Sequence, residues 1–462
     1  MTGSGVKDAA AEHQQVQAGV LGRKILVLSI AHRCLSLACL LLIFPSIQMS
    51  SPFDSSSLLL TTPPPRSIGL SMFLQPLVRW DSVHFLQIAH KGYNQEQLFA
   101  FQPGTPALLR LTGSGSFSSI LEQWNASQAV LMTSILAAMA SAASPWLLYR
   151  LTLRHTFSLR LSFLAGLLSI FSPAPATLVT PSPEPFFSFL VLLGLLALAP
   201  SKSDRRGSNT VSFSPSFLLA SLVFTAATVF RANGCLLVGF LAWHLWWNRG
   251  SKVVPPVVRA ALSSLILLPV LPLFLFQSLA YSIFCTDQSL DSRPWCSSSI
   301  PSIYTYVQKQ YWNVGFLRYW ELAQLPNFLL AAPILGLALY GAHLFCKGSK
   351  RTILFAIFLH QSRPVPSPGA LAFNYQAAPT LLPHVLHGII TTAVLLFFSH
   401  VQIALRFATS GGFPLVWWGA ASWVAGGPGA KGEHSRLTIV LAVLIVWNAL
   451  SLALYSGFYP PA

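Results

Sequence analysis

The chain has 462 residues, 53% of them hydrophobic and only 9% charged, with a mean hydropathy of +0.59. An ordinary soluble domain carries roughly 25% charged residues, so this composition excludes a soluble globular enzyme and points to a polytopic membrane protein. The formal net charge of +16 does not mark a nucleic-acid binder, because Lys and Arg fall in short clusters between apolar runs and form no continuous basic face.

A run of about 20 apolar residues crosses the hydrocarbon core of a bilayer. In chain order such runs cover 24–45, 127–149, 160–179, 185–200, 260–284, 326–346, 380–400 and 437–457. Shorter runs, or runs broken by Gly and Pro, cover 214–230, 234–248 and 410–426. The expected fold is therefore all-α and polytopic, with about 11 transmembrane helices (about 8–13 by the same criterion). The run 353–359 is too short to cross and reads as re-entrant or interfacial. Residues 1–22 are polar and read as a cytoplasmic tail with no secretory signal peptide, the first span serving as signal anchor.

With the N-terminus cytoplasmic, most Lys and Arg fall on the cytoplasmic side and most of the 12 acids on the far side, with Arg33 left inside the first span. The far face is thus the expected working face. It carries two long loops, 46–126 and 285–325, within a single transmembrane catalytic domain spanning 23–462. Loops longer than about 12–15 residues are usually functional or disordered, and the Trp, Tyr and Phe content of these two argues for order. Residues 50–66, rich in Ser, Thr and Pro, read as a flexible lead-in, with ordered structure starting near Met72. Cys34, Cys39, Cys235 and Cys346 lie in or beside spans and read as small buried hydrophobes. Cys285 and Cys296 share the second loop, where an oxidising lumen would permit a disulfide that the sequence alone leaves open. Asn125-Ala126-Ser127 has the form of a glycosylation acceptor but sits close to the second span.

In so acid-poor a chain, a carboxylate beside the membrane is a candidate for chemistry. Asp81 lies in Arg79-Trp80-Asp81-Ser82-Val83-His84-Phe85. Trp80 and Asp81 followed by Phe85, Ile88 and Ala89 recur at helical spacing, and Lys91-Gly92-Tyr93 ends the pattern, which predicts a short helix at the membrane surface starting at Asp81. A carboxylate there can take a proton from a hydroxyl nucleophile while Trp80 anchors the helix at the lipid interface. The alternative is an N-cap that only satisfies backbone amides. His84, one turn on, is placed to orient the carboxylate or a substrate hydroxyl, or is plain surface polarity. Glu96 and Glu184 rank second. Glu184, in Pro181-Ser182-Pro183-Glu184-Pro185, is either a functional acid at membrane depth or a first-turn acid of the following helix.

The string Arg79-Trp80-Asp81-Ser82-Val83-His84-Phe85-Leu86, the pair Gly92-Tyr93 and Ala100-Phe101-Gln102-Pro103-Gly104 resemble the first luminal loop of the GPI mannosyltransferase 2 family. The likeness continues through Ser172-Pro173-Ala174, Ser182-Pro183-Glu184 and Arg231-Ala232-Asn233-Gly234. It is densest in Pro294-Trp295-Cys296, in Pro301-Ser302-Ile303-Tyr304-Thr305-Tyr306-Val307-Gln308 and in Tyr311-Trp312-Asn313-Val314-Gly315-Phe316-Leu317-Arg318-Tyr319-Trp320. Pro326-Asn327-Phe328, His400-Val401-Gln402 with Arg406-Phe407, and the terminal Phe458-Tyr459-Pro460-Pro461-Ala462 complete it over roughly 22–462. Ser172 and Pro183 depart from the Asn and the Tyr-Ser-Glu order expected at those points, and 351–377 is poorly matched.

The resemblance implies a GT-C-type glycosyltransferase of the endoplasmic reticulum membrane with a luminal active site. Its donor would be dolichyl phosphate mannose. Its acceptor would be a mannosyl-glucosaminyl-acylphosphatidylinositol glycolipid of GPI-anchor biosynthesis, taking its second mannose in an α-1,6 linkage with inversion. Such a transfer needs a base and positive charge on the departing phosphate. Asp81 is the expected base, with His84 beside it. Arg231, Arg318 and Arg406 are the candidate phosphate ligands, since a guanidinium grips phosphate oxygens in pairs, or else interfacial anchors. Trp80, Glu184, Tyr311, Trp312, Asn313 and Gln402 complete the expected substrate-binding set, and Trp295, Tyr304 and Tyr306 either stack on sugars or pack at the interface. No metal ligands, cofactor or nucleic-acid partner is expected. Membrane lipids are implied partners, and whether a small membrane subunit assists stays open. A transporter or lipid-flipping protein, or a dolichol-dependent transferase with another acceptor, remains the alternative, although no internal repeat is visible.

Overall fold

The computed structural model describes residues 3–43, 70–114, 124–200, 215–247, 255–286, 293–347, 373, 379–409, 413–426 and 431–459. In chain order its helices are α1 (Gly3–Ala38), α2 (Asp81–Lys91), α3 (Gly104–Gly113), α4 (Ala126–Thr156), α5 (Leu159–Ile170), α6 (Glu184–Leu198), α7 (Pro215–Phe230) and α8 (Val238–Ala242). They continue as α9 (Pro256–Ile266), α10 (Leu271–Phe284), α11 (Ile303–Trp312), α12 (Leu325–Cys346), α13 (Leu382–Phe397), α14 (Ala404–Thr409), α15 (Pro414–Ala425) and α16 (Glu433–Ser456). Among the described residues there is one isolated β-bridge, Ser114 to Trp124, and no strand.

Each of the eleven apolar runs contains helix among the described residues. Among the described residues, five stretches are long and apolar enough to cross a membrane, Glu12–Ile43, Ala126–Thr156, Pro256–Phe284, Leu322–Cys346 and Glu433–Ser456, and five shorter apolar helices accompany them. The chain is an all-helical polytopic membrane protein. The runs differ from expectation in continuity. α1 begins inside the polar tail and ends in a π turn (Cys39–Ile43). The stretch 260–284 is interrupted at Leu268–Val270, where Pro269 withholds a backbone donor. The interfacial run 353–359, the lead-in 50–66 and all of 351–377 except Phe373 lie outside the described residues.

The expected span 160–179 is the largest departure. α5 has only 12 residues, about 18 Å at 1.5 Å per residue, because Pro173 and Pro175 cannot extend it. The chain then runs through a short 3-10 turn (Ala176–Leu178) to the start of α6. From Ser172 to Glu184 every residue is buried. Irregular backbone at membrane depth survives only inside protein, where each carbonyl needs a donor. Side chains of four helices supply them. Arg33 of α1 donates to the Ile170 carbonyl (3.0 Å) and Ser82 of α2 to Pro181 (3.0 Å). Ser141 of α4 donates to Leu178 (2.8 Å), while Asn448 and Trp447 of α16 donate to Ser172 (3.0 Å) and Pro173 (2.7 Å). This rigidly held segment delivers Glu184 to one end of the bundle.

Around it α4 packs against α1, α5 and α6, α6 against α7, and α15 against α5 and α12. The main apolar core includes Leu148, Leu164, Phe187, Phe224, Ala338 and Trp418. α12 and α15 approach with backbone against backbone: a Cβ on Gly341 would lie 2.9 Å from the Leu415 carbonyl, and one on Gly419 would strike the Leu337 carbonyl. Glycine at such a crossing lets two membrane helices pack at close range.

Candidate active site

α2 begins at Asp81, as the spacing predicts, and ends at Gly92, whose φ of 75° is open to glycine and whose N–H bonds the Ile88 carbonyl at 2.8 Å. Phe85, Ile88 and Ala89 form its buried face. Trp80 precedes it at φ 53°, a conformation a bulky residue rarely adopts. Its ring is 38% exposed and tilts against Phe458 (6.3 Å). Arg79 binds the Ser456 carbonyl (2.8 Å) and lies 4.4 Å over the same Phe458 ring. The C-terminal motif is thus the seat of the Asp81 turn.

The N-cap position falls on Trp80, and Asp81 is the first helical residue. Its Oδ2 accepts from Arg406 Nη1 at 2.6 Å. Arg406 Nε donates to Glu184 Oε1 at 2.8 Å, and the same oxygen accepts from Arg231 Nη1. Arg231 Nε reaches Asn233 Oδ1 (3.4 Å), and its guanidinium sits 4.8 Å over Phe407. Two carboxylates and two guanidiniums from four distant parts of the chain thus form one formally neutral quartet. It has a buried and an open side: Glu184 is 0% exposed, Arg231 11%, Arg406 16% and Asp81 37%. Glu184 Oε2 has no partner among the described residues. A cavity of about 30 Å³, room for roughly two waters, adjoins Asp81 and is lined by Ser82, Thr177, Ser182, Arg406, Ser451 and Tyr455 among others.

Burial alone would raise the Asp81 carboxyl, but Arg406, by charge and hydrogen bond and with help from His84 and Arg231, holds it below the usual carboxylate range. His84 shows the opposite balance. Burial lowers it and the Asp81 charge only partly restores it, which favours the neutral imidazole. It makes no hydrogen bond to Asp81; its ring stacks on Phe101 (5.0 Å, 20°) and its Nδ1 is buried without a partner.

The second loop reaches the site through aromatic rings. Phe101 meets Trp312 edge-on (5.5 Å), the Trp312 carbonyl accepts from His400 Nε2 (2.7 Å), and His400 stacks on Tyr319 (4.6 Å). Gln402, two residues on, bonds the Tyr319 side chain and keeps Oε1 buried with no partner among the described residues. Tyr304 also faces the quartet: burial raises its hydroxyl, and Arg231 partly offsets the rise. Of the expected site residues, Asp81, Glu184, Arg231 and Arg406 come together, with Trp80, His84, Trp312 and Gln402 around them. Three are engaged elsewhere. Arg318 is exposed and donates to Asn313 Oδ1 (3.3 Å) at the end of α11, and the half-exposed Tyr311 points its hydroxyl at Glu96 (3.5 Å).

Glu96 has a structural task that its sequence did not reveal. It accepts from Trp295 Nε1 (2.8 Å) and Arg293 (2.6 Å) beside a disulfide between Cys285 and Cys296, joining the two loops over Phe99 and Phe276. Buried Gln102 and Thr105, whose side-chain polar atoms have no partner among the described residues, were also missed. The signal was present in the Phe101-Gln102-Pro103-Gly104 string, next to the ring that contacts both His84 and Trp312. Asn125 caps α4 through Gln128 N (2.9 Å).

A membrane-embedded helical bundle whose one end gathers a half-open carboxylate and two guanidiniums has a constellation compatible with a membrane glycosyltransferase. The chain belongs to the mannosyltransferase family described as Mannosyltransferase (PIG-V), which it matches over residues 23–462. It is 33% identical over 455 residues to a GPI mannosyltransferase 2 of Cryptococcus neoformans var. neoformans, covering 93% of this chain and 97% of that one. A GPI mannosyltransferase 2 of Aspergillus oryzae is 32% identical (84% and 82%), and a GPI alpha-1,6-mannosyltransferase 2 of Cricetulus griseus 31% identical (74% and 72%). Among solved structures, the archaeal oligosaccharyltransferase AglB from Archaeoglobus fulgidus, in complex with an inhibitory peptide and a dolichol-phosphate, aligns with a TM-score of 0.41 at 12% identity, over 95% of this chain and 56% of that one.

Proposed function

We propose that this enzyme transfers mannose from dolichyl phosphate mannose to a GPI precursor, adding the second mannose in an α-1,6 linkage on the luminal face of the endoplasmic reticulum. Its curated relatives carry the names GPI mannosyltransferase 2 and GPI alpha-1,6-mannosyltransferase 2. The observation that carries the chemistry is the single contact between Asp81 and Arg406, which puts a base and a phosphate ligand side by side. Asp81 takes the proton of the acceptor hydroxyl as that oxygen bonds to the anomeric carbon. The bond from carbon to phosphate oxygen breaks on the opposite face, giving inversion, and the electron pair leaves with dolichyl phosphate. Arg406 and Arg231 balance the charge that grows on the phosphate. A phosphate leaving group needs little acid help, which fits a site with one half-open carboxylate. The Nδ1 of His84, the side-chain amide of Gln102 and the Oε1 of Gln402 are buried polar groups without partners among the described residues, available to sugar hydroxyls. The GT-C architecture accords with a donor that arrives through the bilayer.

The test is complementation of cells lacking the second GPI mannosyltransferase, with analysis of the GPI intermediates. Restored surface GPI proteins and loss of the one-mannose intermediate are expected. Persistence of that intermediate at normal protein level refutes the assignment.

A further inference from the structure

Arg406 holds its two acids with different nitrogens and on different sides. Nε binds Glu184, which is sealed from solvent, and Nη1 binds Asp81, which is 37% exposed. A base tied to a guanidinium is a poor base, because the cation stabilises the deprotonated form. An anion approaching from the open side meets the contact between Arg406 and Asp81 first and cannot reach the one with Glu184.

We propose that Arg406 is an exchangeable counter-ion, whose Nη1 passes from Asp81 to a donor phosphate oxygen while Glu184 keeps hold of Nε, so that Asp81 becomes a free base only when the donor is in place. The inference rests on the reading of Asp81 as base given above. Glu184 is then a positioning residue: it touches neither sugar nor phosphate but fixes the pivot about which Arg406 swings. The exchange conserves charge. The donor phosphate arrives with one negative charge and replaces Asp81 as the Nη1 partner. As the glycosyl bond breaks, the proton moves to Asp81 and the second negative charge settles on dolichyl phosphate, beside the guanidinium already waiting. Premature proton capture by Asp81 from water is suppressed until donor is bound.

The charged and titratable groups facing Asp81 are Arg406 from α14, Arg231 beyond α7, Glu184 from α6, His84 on its own helix, and Arg79 and Tyr455 of α16 across the cavity. A pH profile can isolate Arg406 because only that partner is exchanged. In wild-type enzyme in nanodiscs, kcat/KM for donor reports the free enzyme and kcat/KM for acceptor at saturating donor reports the enzyme with donor. A depressed base stays deprotonated, and active, to lower pH. The acid limb for donor should therefore lie at lower pH than the acid limb for acceptor. Coincident limbs would overturn the exchange. Absence of an acid limb in both, with Asp81→Asn active, would remove the base itself and the exchange with it. A second measurement needs no turnover. Asp81→Asn keeps an acceptor but removes the charge that competes for Nη1, so dolichyl phosphate should bind about two- to five-fold more tightly, the size of a partly exposed ion pair. Unchanged or weaker binding contradicts the exchange.

Discussion

Replacing Asp81 with Asn separates chemistry from folding, and the structure sets the size of both effects. The Asn carbonyl keeps an acceptor where Oδ2 receives Arg406, so the hydrogen bond survives and only the charge is lost. The pair has one partner 37% exposed, and solvent screening leaves such pairs worth about 0–1 kcal/mol. Stability should therefore change by about 1 kcal/mol or less. The catalytic effect is of another order. Removing a general base typically lowers the rate by about 10²–10⁴-fold, about 2.7–5.4 kcal/mol in the barrier. The assay is mannose transfer to a synthetic acceptor by purified enzyme, normalised to folded protein by size exclusion and thermal unfolding. Transfer within ten-fold of wild type would refute the role of Asp81. Loss of transfer that merely tracks loss of folded protein would refute the separation.

Glu184→Gln should do the reverse, because the carboxylate is fully buried and serves two guanidiniums; Arg406 keeps Asp81 but Arg231 is left with the neutral Asn233, and breaking such a buried pair costs about 3–5 kcal/mol, read as a lower unfolding midpoint with poor accumulation in membranes. Ser replacement of both Cys285 and Cys296 opens a loop of sequence separation 11, worth about 2–3 kcal/mol by chain entropy, and should loosen Trp295 from Glu96, which its fluorescence in a denaturant titration will report. Asn448→Leu orphans the buried Ser172 carbonyl and should destabilise the protein by about 1–3 kcal/mol, measured by thermal unfolding in detergent.

What the sequence made legible was governed by range. Apolar runs and the Gly92 stop are local signals, so ten of the eleven apolar runs and the start and end of α2 could be read directly as helix. The broken span at 160–179 was misjudged because hydropathy averaged across Ser172 to Pro175 stays high while the prolines forbid helix. Its burial depends on donors as far away as Arg33 and Asn448, which no window contains. The N-cap alternative for Asp81 was equally unresolvable, since a cap and an ion pair to Arg406 look alike until residue 406 is located in space.

The same limit explains the arginines. Arg231, Arg318 and Arg406 are indistinguishable by type and by side of the membrane, yet only two of them share a buried carboxylate, while the third turns to Asn313. Their separation follows from where the chain is stiff. Glu184 is locked by the buried segment before α6, Arg231 follows the C-terminus of α7 packed on α6, and Arg406 sits on α14, which also contacts α6. All three are therefore referenced to one helix and cannot drift independently. Asp81 sits on the turn packed against Phe458 and the α16 terminus, and its neighbour Ser82 bonds the Pro181 carbonyl of the same buried segment that leads to Glu184. The quartet is thus four charges on connected supports, of which Asp81 is the most exposed. An exchange of Arg406 then requires no movement of those supports: Nε stays on Glu184 while Nη1 turns from Asp81 towards the open side.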